Sequence, residues 1–211
     1  MDTTAQSGSV AGDDEDGALV QRARTGERAA LAALFARHHA RVFRSAYLVT
    51  RSPEAADDIV QIVFLELFTA LHTFDPRRPF VPWLYRIVHN VSIDFLKRER
   101  YRLPMVVPLA DTIPGPMGEI GWADLRSDVR PALDGLSAEH REALVLRYYV
   151  GLPEREMADV LGVRPGTVKS RLNRALHALK EVLGPGNAPT ADDEPGVLNG
   201  DGAPHGGTSH E

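Results

Sequence analysis

Cysteine is absent from the 211 residues. Its absence excludes disulfides and thiolate metal sites, and it fits a cytoplasmic location. Also missing is any apolar run of about eighteen residues, the length a membrane-crossing helix needs, so no direct membrane insertion is expected. The N-terminus lacks the basic start and apolar centre of a secretory signal. Basic residues are missing from both ends. Residues 1–16 hold Asp2, Asp13, Asp14, Glu15 and Asp16 but no Lys or Arg; residues 185–211 hold Asp192, Asp193, Glu194, Asp201 and Glu211 and again none. The net charge is −5, from 24 Lys and Arg against 29 Asp and Glu. Setting aside the ten tail acids leaves 24 bases against 19 acids in the middle. An acidic total thus hides a basic body, and a nucleic-acid partner stays in play.

Catalytic signatures are missing too. Gly166-Thr167-Val168-Lys169-Ser170 lacks the Gly-Lys-Ser/Thr adjacency of a phosphate loop, and no His-Glu-x-x-His is present. No Gly-x-Ser-x-Gly elbow occurs. His38 and His39 are neighbours within a helical pattern, where adjacent residues do not face each other, so they do not read as a shared metal site. His205 and His210 lie in the tail and read as solvated. The chain is expected to hold no metal or cofactor and to be no enzyme.

What is present is helical punctuation. No segment alternates with period two, so the expected class is all-α. Residues 1–17 read as a disordered acidic tail and 184–211 as a second disordered tail, because neither has the apolar content to offset its ordering entropy. Two helical blocks lie between them, at 18–102 and 126–183. The linker at 103–125 is marked by Pro104, Pro108, Pro114, Gly115, Pro116, Gly118 and Gly121. In the first block, Leu31, Leu34, Phe35, Val42 and Ala46 suit one buried face. Ser52-Pro53-Glu54 starts a further helix with a cap, a first-turn proline and an acid at the positive pole. Its apolar positions are Ile59, Val60, Val63, Phe64, Leu67, Phe68 and Leu71. A third helix runs over about 81–99. In the second block, Ser137 caps one helix, Pro153 with Glu154 starts another, and the last runs over about 165–183.

Ala158, Gly162 and Val168 supply what a helix-turn-helix needs: a small crossing residue, a permissive turn and an apolar residue facing back. Met157, Leu161 and Leu172 extend the seam. From 164 to 180 the second helix carries five Lys or Arg and no acid. Such a helix suits the major groove, with residues near its N-terminus on base edges. The reading set is Arg164, Thr167, Lys169, Ser170 and Arg171, with Arg174 suited to phosphate. A second basic cluster, Arg86, Lys97, Arg98, Arg100 and Arg102 with Tyr101, ends the first block. It suits DNA with unstacked bases, or simply the negative pole of a helix.

The order of these segments resembles the extracytoplasmic-function (ECF) sigma factors of the sigma-70 family. The carrying residues are Ala56-Asp57-Asp58-Ile59-Val60-Gln61-Ile62-Val63-Phe64, Phe74-Asp75-Pro76, Trp83-Leu84-Tyr85-Arg86-Ile87-Val88-His89-Asn90 and Asp94-Phe95-Leu96-Lys97-Arg98. Leu136-Ser137, Leu146-Arg147-Tyr148-Tyr149 and the helix-turn-helix follow. The resemblance covers about residues 18–183. It implies a region-two domain at 18–102 that binds core RNA polymerase and the minus-ten element, and a region-four domain at 126–183 that binds the minus-thirty-five element. Implied partners are core polymerase, through its β′ clamp and β flap, promoter DNA and an anti-sigma factor. Asp57, Asp58, Gln61, Ile62 and Leu65 would face the polymerase. Position 62, where the family often has an acid, is Ile62; it either forms an apolar docking patch with Leu65 or turns into the core. Asn90, Asp94, Lys97, Arg98, Arg100, Tyr101 and Arg102 would serve the minus-ten element. Phe80, Trp83 and Tyr85 lie near them, with Trp83 read as a core residue. The rival reading is a free-standing helix-turn-helix regulator.

Overall fold

Helices form where the sequence places apolar residues three and four apart, and caps set their limits. A computed structural model of the chain describes residues 7–101 and 133–183. In order, they form α1 (Ser7–Arg24), α2 (Arg28–Thr50), α3 (Pro53–Ala70), a 3-10 turn (Leu71–Thr73), α4 (Phe80–Tyr101), α5 (Ala138–Leu144), α6 (Glu154–Leu161) and α7 (Pro165–Leu183). No strand occurs among the described residues, so the all-α expectation holds. The expected linker at 103–125 and tail at 184–211 lie outside the described residues.

Local chemistry explains the boundaries. Ser52 Oγ accepts from the Ala55 amide at 3.0 Å, and Pro53 occupies the first position of α3. Its hydroxyl also donates to Glu54 at 2.8 Å. The helix N-terminus and this bond together hold the Glu54 carboxyl below its ordinary range. Ser137 caps α5 in the same manner. Gly162 closes α6 at φ +64, a conformation that L side chains rarely adopt. After α5 the helix widens over Val145–Tyr149 into a π turn, where the Val150 amide donates to Val145 O at 2.9 Å.

In the first domain α3 packs on both α2 and α4. Ile59, Val63 and Leu67 of α3 meet Leu34, Val42 and Ala46 of α2 and Leu84 of α4, all fully buried. Each such side chain contributes about 1.5–3 kcal/mol by leaving water. Phe35 departs from expectation: it is 40% exposed, with its ring edge-on to Phe64 at 4.7 Å. The core stripe of α2 steps by four through Leu34, His38, Val42 and Ala46, and Phe35 sits one residue, about 100°, away from it.

The expected tail at 1–17 needs a larger correction, since α1 begins at Ser7. Its Asp16 is 2% exposed, 3.0 Å from His38 Nε2 and 3.3 Å from Arg37 Nη1. Val20 and Ala23 are buried beside it. Tail composition alone argued for disorder, but partners on α2 give the acid a buried site and the helix a face to pack.

In the second domain α7 packs on α5 and α6. Met157, Ala158 and Leu161 of α6 and Val168 and Leu172 of α7 form the expected seam. The two domains also touch: α4 packs on α6, and α2 on α5 and the π turn. One buried apolar cluster runs through both.

Candidate nucleic-acid and polymerase interfaces

α7 presents two faces set by its core. Val168, Leu172, Ala175, Leu176 and Leu179 are buried; Arg164, Thr167, Lys169, Ser170 and Arg174 are exposed. Ser170 Oγ donates to Thr167 O at 3.0 Å, and Arg174 Nε donates to Ser170 O at 3.2 Å. Both side chains therefore lie along the outer surface of the helix. Arg171 is the exception within the expected reading set. Its side chain is 15% exposed and lies 3.3 Å from Glu139 of α5. Being three residues from Val168 and one from Leu172, it flanks the buried stripe and faces α5. Asn173 and His177 are exposed on the outward side instead. At about 100° per residue Asn173 and His177 fall about 140° and about 180° from Val168, whereas Arg171 is set apart by its contact with Glu139.

α4 is likewise two-faced. Leu84, Tyr85, Val88 and Val91 are buried, whereas Asn90, Asp94, Lys97 and Arg98 are exposed at helical spacing, with Arg86 one turn earlier. Lys97 Nζ donates to Asp94 at 3.5 Å, a loose contact that leaves both groups to solvent. The side chains of Arg100 and Tyr101, and all of Arg102, lie outside the described residues. Two of the three nearby aromatics are core. Phe80 is 1% exposed, and Tyr85, also 1% exposed, shares a 3.1 Å hydrogen bond with Ser45. Burial pushes the Tyr85 hydroxyl well above its ordinary range. Trp83 is half-buried, its ring centroid 5.0 Å from Phe74 and 5.8 Å from Phe80. It is thus the member of the three that keeps a solvent edge.

The loop before α4 is held by its own charges. Asp75 accepts from Arg77 Nε and Nη2 at 2.9 Å each and from the Arg77 amide at 3.1 Å. The Arg77 side chain and amide hold the Asp75 carboxyl down at about 2. Arg24 of α1 reaches His72 O at 3.3 Å and Phe74 O at 3.5 Å.

α3 carries the third face. Asp57, Asp58, Gln61, Ile62 and Leu65 share its solvent side, opposite Ile59, Val60, Val63 and Phe64. Ile62 is 38% and Leu65 67% exposed, so position 62 is not turned into the core. Ile62 and Leu65 thus form an exposed apolar pair on the same side of α3 as Asp57 and Asp58. Among the described residues no helix is long and apolar enough to cross a membrane.

Comparison with known proteins agrees with this layout. Residues 34–102 match the family model for sigma-70 region 2, and residues 126–179 match that for sigma-70 region 4. The ECF RNA polymerase sigma factor SigE of Mycolicibacterium smegmatis is 34% identical over 79% of this chain and 68% of its own length. SigL of Mycobacterium tuberculosis, also an ECF RNA polymerase sigma factor, is 34% identical over 79% of this chain and 96% of its own. CnrH of Cupriavidus metallidurans, solved in complex with the cytosolic domain of CnrY, superposes with a TM-score of 0.60. It is 31% identical, with 80% of this chain and 96% of that one covered.

Proposed function

Because the chain belongs to the extracytoplasmic-function group of the sigma-70 family, we propose that it binds core RNA polymerase and directs it to promoters with paired minus-thirty-five and minus-ten elements. The observation that carries this reading is the set of three separate solvent faces on one chain. The α3 face, apolar at Ile62 and Leu65 and acidic at Asp57 and Asp58, suits the β′ clamp. The polar stripe of α4 suits the minus-ten element, where unstacked bases must be held. The basic outer face of α7 suits a major groove, with Thr167, Lys169 and Ser170 toward base edges and Arg164 and Arg174 toward phosphate. The role first given to Arg171 passes to Asn173.

Strand separation here uses binding free energy alone. Capturing an unstacked base offsets an opening cost of a few kcal/mol, and the half-buried Trp83 is the aromatic placed to contribute. No step needs a catalytic residue or a cofactor, and the protein acts in the cytoplasm with polymerase. Control by an anti-sigma factor is part of the same reading, supported by the complex of CnrH, a relative of similar fold, with the cytosolic domain of CnrY.

Run-off transcription tests the assignment. Purified core polymerase with this protein on pooled genomic DNA should yield new transcripts sharing paired upstream elements. Stable duplex binding without polymerase, and no transcripts, would favour the free-standing regulator instead.

A further inference from the structure

The last carbonyls of a helix have no partner within it and must find one elsewhere. At the end of α3 the first of them are served locally. His72 Nδ1 lies 2.7 Å from Thr69 O, Thr73 Oγ1 donates to Ala70 O at 2.7 Å, and the Phe74 amide donates to Leu71 O at 3.2 Å. The carbonyls of His72 and Phe74 are met from another element. Arg24 of α1, about fifty residues earlier, donates to the first from Nη2 at 3.3 Å and to the second from Nη1 at 3.5 Å. Its positive charge also suits the negative pole of α3.

α1 brings Arg24 to this place. Asp16 is buried against Arg37 and His38 of α2, and Val20 and Ala23 are buried along the same helix. Gly26, at φ +87, then ends the helix, its amide donating to Ala23 O at 3.0 Å. The position of Arg24 is therefore set by a helix anchored in the core. The loop beyond Phe74 has no comparable anchor in its own charges. Asp75 binds Arg77, and the Asp75 carbonyl accepts from the Arg78 amide at 3.0 Å, so these bonds shape the loop without tying it to a helix.

Phe74 carries the restraint onward. Its side chain is 3% exposed, with its ring centroid 5.0 Å from Trp83 and 5.8 Å from Phe80. Arg24 holds the Phe74 backbone, and the Phe74 ring supports the one aromatic of α4 that keeps a solvent edge. We propose that Arg24 is a positioning residue for strand separation: by holding the His72 and Phe74 carbonyls it fixes the Phe74 ring and, through it, the orientation of Trp83. The inference rests on the promoter-binding reading for its consequence, though not for the restraint on Trp83. A ring already held in place need not be ordered when a base is captured, and preorganisation of that kind strengthens capture. Arg24 itself need not touch DNA.

Two substitutions separate the guanidinium fork from its charge. Arg24→Met removes the donors and keeps an apolar stem. Arg24→Lys keeps the charge but sets one ammonium in place of a planar fork that reaches two carbonyls. Arg24 is exposed, so neither change leaves a cavity. The chain has two tryptophans, Trp83 and Trp122; with Trp122→Phe in the full chain, Trp83 alone fluoresces. In that background both variants should shift the Trp83 emission to the red and increase its quenching by acrylamide. Run-off with core polymerase is then compared on two templates: a duplex promoter, and the same promoter with its minus-ten strands mismatched and so already open. On the duplex both variants should be slower by about three- to tenfold, the effect of having to order a freed side chain during capture. On the opened template they should match the parent. A merely destabilised protein would lose activity on both.

Unchanged Trp83 emission and quenching would overturn the proposal, as would parent-like activity on the duplex or an equal loss on the two templates. Full rescue by Arg24→Lys would overturn it as well, by showing that charge and not the fork matters. Should Arg24→Met fail to fold, the same results are required of Arg24→Lys alone. Absence of run-off from the parent on either template would instead refute the promoter reading, leaving the fluorescence to decide whether Arg24 holds Trp83.

Discussion

α4 and α7 both carry polar outer stripes, but they are held differently. α4 is packed by α2, α3 and α6, and its core side includes the fully buried Leu84 and the hydrogen-bonded Tyr85. α7 rests on α5 and α6 alone among the stronger packings, and its outer polar groups hydrogen-bond along their own helix. The difference suits the two tasks. Separating strands needs a stiff surface that does not yield when a base is captured. Reading an intact duplex needs a helix that protrudes enough to enter a groove.

The sharpest way to break this comparison is in the core. Leu84→Ala should cost about 2–5 kcal/mol in denaturant unfolding. Because one buried cluster joins the domains, the loss should appear as a single shifted transition; two separated transitions would show that α7 unfolds independently of α4. Next comes the outer face of α7. Lys169→Ala should weaken minus-thirty-five recognition by about 1–3 kcal/mol if it holds a base edge, read from binding to a promoter and to a scrambled site. Arg171→Ala should leave that discrimination unchanged, since its guanidinium faces Glu139; a loss matching that of Lys169→Ala would return Arg171 to the reading face. A smaller effect is expected at the start of α3, where Ser52→Ala should cost about 1 kcal/mol of stability by removing the cap, measured by thermal melting. The smallest concerns the loop leading into α4. The Asp75 carboxyl is lowered to about 2 from 3.8, so its bond to Arg77 should be intact above about pH 4. That bond should fade as pH falls toward 2. Titration of Asp75 by carbon NMR checks it: a midpoint near 3.8 would show that the loop contact is absent in solution.

Much of this architecture could be read from residue order. The Ser52 and Ser137 caps, the Gly162 turn and the Ala158–Val168 seam all lie where local rules put them. The five residues named on α3 are exposed, as are Asn90, Asp94, Lys97 and Arg98 on α4, Arg164 just before α7, and Thr167, Lys169, Ser170 and Arg174 along it. Arg171 was placed on the reading face by residue type; in the folded chain its side chain lies against Glu139 of α5, a contact that no neighbour in sequence announces. Phe35 erred in the opposite sense, an apolar residue one step off the buried stripe. For α1, tail composition was a fair guide to the chain in isolation but said nothing of His38 and Arg37, more than twenty residues away.

The contact between the two domains was beyond sequence reading altogether. Glu142 of α5 and His89 of α4, which pair across it, are 53 residues apart, and neither residue carries a local signal of the other. Helix limits, helix faces and the helix-turn-helix depend on neighbours three or four positions away, and the sequence by itself determined those. Tertiary structure decided which faces meet. It buried Asp16, turned Arg171 toward Glu139 and set Arg24 on the carbonyls of His72 and Phe74. Long-range pairing of this kind depends on the packing of whole helices against one another, and no spacing along the chain encodes it.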